Sequence, residues 1–216
     1  MILIGQYDSP FVRRVAIALR LYDLPYEHWP WSTFGDGDRI AKFNPLRRVP
    51  TLVLDNGEVL IESSAILDYL DEIVGPLRAM IAESGDLRRR ALKICALATG
   101  LADKAVSLVY EQALHQATSE QWIERCRTQI SGVLHVLEAD RTLEADRTGK
   151  REKFWFGDAI GHADIAVACV LRFTRDAHPG LFDEELWPAL AAHAATCEAL
   201  PVFREIAQPF LPPRRG

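Results

Sequence analysis

The sequence predicts two units of different class: a small α/β unit, followed by an all-helical one. Three observations carry this. Up to Gly75-Pro76 the chain switches repeatedly between short apolar runs and helical periodicity, its strongest hairpin signal falls inside that stretch, and beyond it no strand pattern returns. These shifts set the expected boundaries: residues 1–76 for the α/β unit, 77–85 for a linker and 86–216 for the helical unit.

Taken in order, Met1 to Tyr7 is a short apolar strand, and Ser9-Pro10 opens a helix with a capping serine and a proline at the first helical position. Val12, Val15, Ala16 and Leu19 continue that helix at the right spacing. Tyr26 to Trp31 reads as a second strand and Asp38 to Phe43 as a short helix. Asn44-Pro45 and Val49-Pro50 then punctuate a loop. Thr51 to Leu54 and Glu58 to Ile61 flank Asp55-Asn56-Gly57, and Asn-Gly accepts the positive φ angles of a tight hairpin turn. Ser63 opens a helix to Val74 with Ile66, Leu70 and Ile73 on one face. The order is βαβ, a short helix, then ββα.

In the second unit, Leu87, Ala91, Ile94, Ala98, Leu101, Ala105 and Leu108 alternate steps of four and three, the mark of a long amphipathic helix. Ile123, Cys126, Ile130, Val133 and Leu137 repeat the rule. Residues 165–171 are apolar on every side, which predicts a central helix buried all round. Pro188 and Pro201 read as first-turn prolines of two closing helices. The echo of Glu138–Thr142 in Glu144–Thr148 has no solenoid period and reads as a polar helix end and loop. Residues 212–216 read as a frayed end.

Composition narrows the function classes. The 216 residues are 49% hydrophobic and 25% charged, as in an ordinary globular protein. Acidic residues outnumber Lys and Arg by 30 to 25, which argues against a nucleic-acid phosphate backbone as partner. The apolar start lacks the basic flank of a secretory leader, and no apolar run approaches the roughly 20 residues of a membrane span, so a cytoplasmic location is expected. Cys95, Cys126, Cys169 and Cys197 are widely spaced and form no ligand cluster with histidine, which predicts reduced, packed thiols and no metal.

Three stretches then make the chain resemble the glutathione transferase family, in its bacterial members with an active-site serine. They are Tyr7-Asp8-Ser9-Pro10-Phe11-Val12-Arg13-Arg14-Val15, the loop Phe43-Asn44-Pro45-Leu46-Arg47-Arg48-Val49-Pro50-Thr51-Leu52 followed by Glu62-Ser63-Ser64-Ala65-Ile66, and Gly161-His162-Ala163-Asp164-Ile165. Singly each is weak; in order they are specific. The resemblance implies a thioredoxin-like N-terminal domain joined to a helical domain, a homodimer, glutathione as co-substrate without a further cofactor, and a small hydrophobic electrophile as the second substrate. A role in detoxification goes with that activity.

The resemblance also implies roles for residues. Ser9 donates its hydroxyl to the glutathione thiolate, helped by the positive end of its helix and by Arg13 one turn on. Tyr7 is the competitor, because other classes use a tyrosine on the first strand; Pro10 directly after Ser9 favours the serine. Val49-Pro50 is cis, which turns the Val49 backbone toward the cysteinyl residue of glutathione, although X-Pro bonds are cis only about 5% of the time. Glu62 takes the γ-glutamyl ammonium and Ser63 its α-carboxylate. Arg48, with Lys42 as a second choice, meets the glycyl carboxylate, and Phe11 and Tyr110 wall the second-substrate pocket. Asp103 on the long helix reaches toward the partner subunit's glutathione, with a solvated helix face as its equal plain reading. Ser9 and Ser63 each have a plain reading as helix caps, Arg48 and Lys42 as solvated charges, and Phe11 and Tyr110 as core aromatics.

Two departures from the family pattern stand out. Gly161 replaces the Ser or Thr that opens the capping box, and position 9 is not cysteine, which excludes a mixed disulfide with glutathione there. The alternatives are a non-catalytic glutathione-binding or protein-interaction module and a glutathione-dependent peroxidase or isomerase.

Overall fold

In the computed structural model, which describes residues 1–148 and 152–213, the chain begins with strand β1 (Ile2–Ile4), helix α1 (Pro10–Leu21) and strand β2 (Glu27–Trp29). Helix α2 (Gly37–Ile40), the hairpin β3 (Thr51–Val53) and β4 (Val59–Ile61), and helix α3 (Ser63–Val74) complete the first unit. The strands form one mixed sheet in the order β2-β1-β3-β4, with β1 parallel to β2 and antiparallel to β3. A parallel pair needs a crossover, which α1 supplies, whereas the hairpin closes through Gly57 at φ +85°.

The strands and α2 are shorter than the sequence suggests, β1 ending at Ile4 rather than Tyr7, and two of these differences have a local cause. Strand β2 stops at Trp29 because Pro30 has no N–H for the ladder, and Trp31 N–H turns back to the Trp29 carbonyl at 2.8 Å. Helix α2 ends at Ile40, and Phe43 and Asn44 follow in turns closed onto the Ile40 carbonyl. On α3 the buried apolar residues are Ile66, Leu67 and Leu70, while Ile73 is 45% exposed.

The second unit comprises α4 (Gly85–Leu114), α5 (Glu120–Thr148), α6 (His162–Ala177), α7 (Pro188–Glu198) and α8 (Pro201–Glu205). The α4 seam from Ile94 to Leu108 packs on Ile123, Cys126, Ile130, Leu134 and Leu137 of α5. Leu87 lies outside it at 46% exposed, and Leu134 takes the fully buried place expected of Val133. The repeated Glu-Ala-Asp-Arg-Thr segment is helical through Thr148 rather than a loop, as its Ala, Glu, Arg and Leu content favours. The last three residues of the expected frayed end, 214–216, lie outside the described residues.

Helix α6 joins the two units. Val167, Val170 and Leu171 belong to the α4–α5 core, whereas Ile165, Ala168 and Cys169 pack with α1, α3 and α8. At its start the Asp164 carboxylate accepts the N–H groups of Gly161 at 2.8 Å and Trp155 at 2.6 Å, so the Asp half of the capping box is kept. The glycine has a steric reason: a Cβ at position 161 would lie 3.0 Å from the Met80 carbonyl. That carbonyl accepts the His162 N–H at 3.1 Å, satisfying a helix-end donor with backbone.

All four cysteines are buried free thiols, and burial pushes Cys169 up to about 12. Among the described residues no group of His, Cys, Asp and Glu could hold a metal ion, and no helix is long and apolar enough to cross a membrane.

Candidate functional site

The turn from β1 into α1 sets Ser9. Its N–H donates to the Gln6 carbonyl at 3.2 Å, and its extended backbone, φ −67° and ψ 124°, places it as N-cap. The Ser9 hydroxyl oxygen accepts the Val12 N–H at 3.4 Å. Because the cap uses a lone pair, the hydroxyl proton remains to be donated to an anion at the positive end of α1. The cap and the donor role are compatible.

Gly5 brings the proline loop to this helix start. At φ +129° a Cβ would sit 2.5 Å from Val12 Cγ2 and 2.8 Å from Val49 Cβ, so only glycine admits this approach. The loop itself is held by Asn44, whose buried amide donates to the Arg48 carbonyl at 2.9 Å and to Thr51 Oγ1 at 3.2 Å. Its side-chain oxygen accepts the Leu46 N–H at 3.0 Å. The Val49-Pro50 bond is cis. The N–H and C=O of Val49 make no hydrogen bond among the described residues, leaving both to pair with an extended peptide.

Between the two units lies a cavity of about 460 Å³ lined by Ser9, Phe11, Arg48, Val49, Asp103 and Tyr110, together with Trp31 and Phe34 from the loop after β2. Phe34 meets Tyr110 edge to face at 5.2 Å. The far wall is Phe173 of α6 against Phe210, rings 5.6 Å apart and perpendicular. The C-terminal segment is tied over the Ser9 turn: Gln208 Oε1 accepts the Tyr7 N–H at 3.2 Å and Asp8 accepts the Leu211 N–H at 3.1 Å.

Glu62 and Ser63 lie beyond the lining of this cavity, as does buried Pro50. Arg48 connects them to it, 3.6 Å from Glu62 and 3.7 Å from Asp103, all three about half exposed. Asp103 lines this protomer's cavity. Glu62 has φ +66°, an unusual conformation for a non-glycine residue, and turns the chain into α3. Ser63 is buried at the first helical position, and α3 has no side-chain cap.

The structure corrects one expectation. Arg13 does not face the cavity: its guanidinium forks onto Glu198 at 2.6 and 2.8 Å and donates to the carbonyls of Ile206 at 2.8 Å and Phe203 at 2.9 Å. A carboxylate and two carbonyls of the α7–α8 region satisfy it there. Lys42 is exposed and is not among the residues lining the cavity. The Tyr7 hydroxyl bonds Tyr26 at 2.8 Å, its ring stacks on His28 and it does not line the main cavity.

The sequence reading missed Asn44 as the loop's anchor and Trp31, Phe34, Phe173 and Phe210 as walls. The density of aromatics around Pro30 was a usable signal for the first pair. Nothing local marked Phe210, whose place depends on the chain returning across the domain boundary.

A four-stranded mixed sheet with a helix N-terminus beside the proline loop, backed by a helical unit, defines a thioredoxin-like protein with a helical second domain. Residues 3–77 match the model of the glutathione S-transferase N-terminal domain and residues 120–196 that of the C-terminal domain. The chain is 34% identical over 177 residues to the GST-like protein YibF of Escherichia coli K12, covering 80% of this chain and 81% of that one. It is 30% identical to the maleylacetoacetate isomerase of Pseudomonas aeruginosa over 216 residues, 95% of this chain and 94% of the relative. A glutathione transferase family member from Pseudomonas fluorescens Pf-5, solved with bound glutathione, superposes with a TM-score of 0.83 at 32% identity, covering 97% of this chain and 99% of that one. The chain belongs to the glutathione S-transferase family.

Proposed function

We propose that the protein is a glutathione transferase in which Ser9 stabilises the thiolate of bound glutathione for attack on a small hydrophobic electrophile. The observation that carries this is the opening of the Ser9 cap onto the same aromatic-walled cavity as the backbone of Val49. Residues 1–76 hold the peptide, and residues 86–216, beyond the 77–85 linker, supply the opposite wall of the electrophile pocket. The Val49 backbone pairs with the cysteinyl residue, Glu62 takes the ammonium, Ser63 and the uncapped start of α3 hold the α-carboxylate, and Arg48 swings from Glu62 and Asp103 to the glycyl carboxylate. Phe11 and Tyr110 contact the electrophile. The work of the enzyme is a lowered thiol pKa plus proximity, and each unit of lowering is about 1.4 kcal/mol of preferential thiolate binding. The proposal extends to a cytoplasmic homodimer acting in detoxification, the dimer to be checked by sedimentation.

Titration of the bound thiol by its ultraviolet absorbance tests the assignment. Ser9→Ala is expected to raise the midpoint by about 1 to 2 units, and Tyr7→Phe to leave it in place. A shift in Tyr7→Phe with none in Ser9→Ala reverses the assignment; failure of calorimetry to detect glutathione binding leaves a scaffold protein.

The likeness to an isomerase supports a second reading on the same thiolate. Addition to a conjugated cis double bond, rotation and elimination of the thiolate would regenerate glutathione. Incubation with a maleyl-type substrate separates the two: an isomerase consumes no glutathione, whereas conjugation consumes one per product.

A further inference from the structure

Arg14 is 4% exposed, yet no carboxylate pairs with it among the described residues. Its polar contact is a long one, Nη1 to the Ser63 hydroxyl at 3.4 Å, and its Nε has no partner. Burial lowers the pKa of the guanidinium, the expected sign for a cation without a counter-ion. An uncompensated buried charge is costly, and proteins that retain one normally supply its partner. Arg14 also borders a second cavity, about 270 Å³, between α1, α3 and α4.

Two features converge at Ser63. The start of α3 has no side-chain cap, so its first N–H groups lack a side-chain acceptor at the positive end of a 12-residue helix. The same residue is the one that the Arg14 guanidinium reaches from within. We infer that Arg14 is a positioning residue for glutathione: the counter-ion it lacks is the γ-glutamyl α-carboxylate, which binds at Ser63 and which Arg14 holds through the Ser63 hydroxyl. This rests on the glutathione reading above and adds to it the residue that makes Ser63 a carboxylate site. The hydroxyl accepts from Arg14 and donates its own proton to the carboxylate, so the charge of the peptide is neutralised from the interior of the protein.

The test is a ligand-by-mutation cycle. Glutathione and an analogue lacking only the α-carboxylate of its γ-glutamyl residue are titrated by calorimetry into wild type and Arg14→Met. Wild type is expected to prefer glutathione by about tenfold or more, and Arg14→Met to lose most of that preference by weakening glutathione alone. A general disturbance of the fold weakens both ligands equally, and that result overturns the inference while leaving the Ser63 assignment intact. If wild type binds both ligands alike, the carboxylate assignment at Ser63 fails and the inference falls with it.

A measurement on wild type covers the case in which Arg14→Met does not fold. The Arg14 Nε–H resonance, identified by its loss in Arg14→Lys, is expected to shift on adding glutathione and to stay in place with the analogue. Acetate is the control for a free carboxylate entering the second cavity. A shift with acetate that persists unchanged at saturating glutathione assigns Arg14 to a separate anion site and overturns the inference.

Discussion

Arg13 and Arg14 are neighbours on one turn of α1, both are buried, and they face opposite seams of the molecule. On the α7–α8 side, Arg13 is fully engaged by a bidentate carboxylate, two carbonyls and the Phe203 ring 5.4 Å away. On the α3–α4 side, Arg14 has one weak hydroxyl contact. The first seam is finished when the chain folds, and the second is left electrostatically incomplete. Burial alone therefore does not tell the two charges apart; the count of their partners does.

The largest effect tests the finished seam. Arg13→Met leaves Glu198 and two carbonyls without their donor, with only Arg172 at 3.6 Å to compensate. It should lower the unfolding free energy by about 3 to 5 kcal/mol, measured by urea titration. The glutathione affinity of the folded fraction should stay near wild type, since Arg13 is turned from the cavity. Next in size, Arg14→Met should move stability the other way, unchanged or higher by about 1 to 3 kcal/mol, because it removes a charge that has no partner before ligand binds. Equal destabilisation by the two substitutions would erase the distinction between the seams.

A smaller effect is pH-dependent and belongs to the α3 side. Asp71 accepts from His162 at 2.9 and 3.0 Å and from the Tyr22 hydroxyl. Burial works to raise its carboxyl, but these bonds outweigh it and hold the group below its ordinary 3.8. A depressed carboxyl stabilises the native state above the unfolded pKa, and that stability is lost as pH falls from about 4 downward. Asp71→Asn should cost about 1 kcal/mol at neutral pH and flatten the acid limb of the stability profile, read from urea midpoints between pH 3 and 7. An acid limb as steep as that of wild type would show that Asp71 does not set it.

Much of the fold was legible because local rules and tertiary packing agree. Ser9-Pro10 starts α1, Asn56-Gly57 turns the hairpin, and the all-round apolar stretch 165–171 lies at the centre of both cores. Misreadings occurred where periodicity continued past a backbone limit, as at Pro30, or where one face could shift by a residue, as between Val133 and Leu134. In the candidate site, Ser9, Arg48, Val49, Phe11 and Tyr110 do converge on one cavity. Arg13 was misplaced because spacing assigns a residue to a helix face but says nothing of which acceptors the long side chain meets.

The sequence by itself determined the element types, the order βαβ, helix, ββα and then helices, the serine cap and the short motifs that mark the family, because these depend on residues within a few positions of one another. Only the tertiary structure decided the partners of the buried charges, the tie between the C-terminal segment and the Ser9 turn, and the glycine at 161, where a carbonyl from residue 80 approaches to 3.0 Å. These depend on contacts between residues as much as 203 positions apart, for which no local pattern exists, and their energies are set by geometry and desolvation that only the folded chain creates.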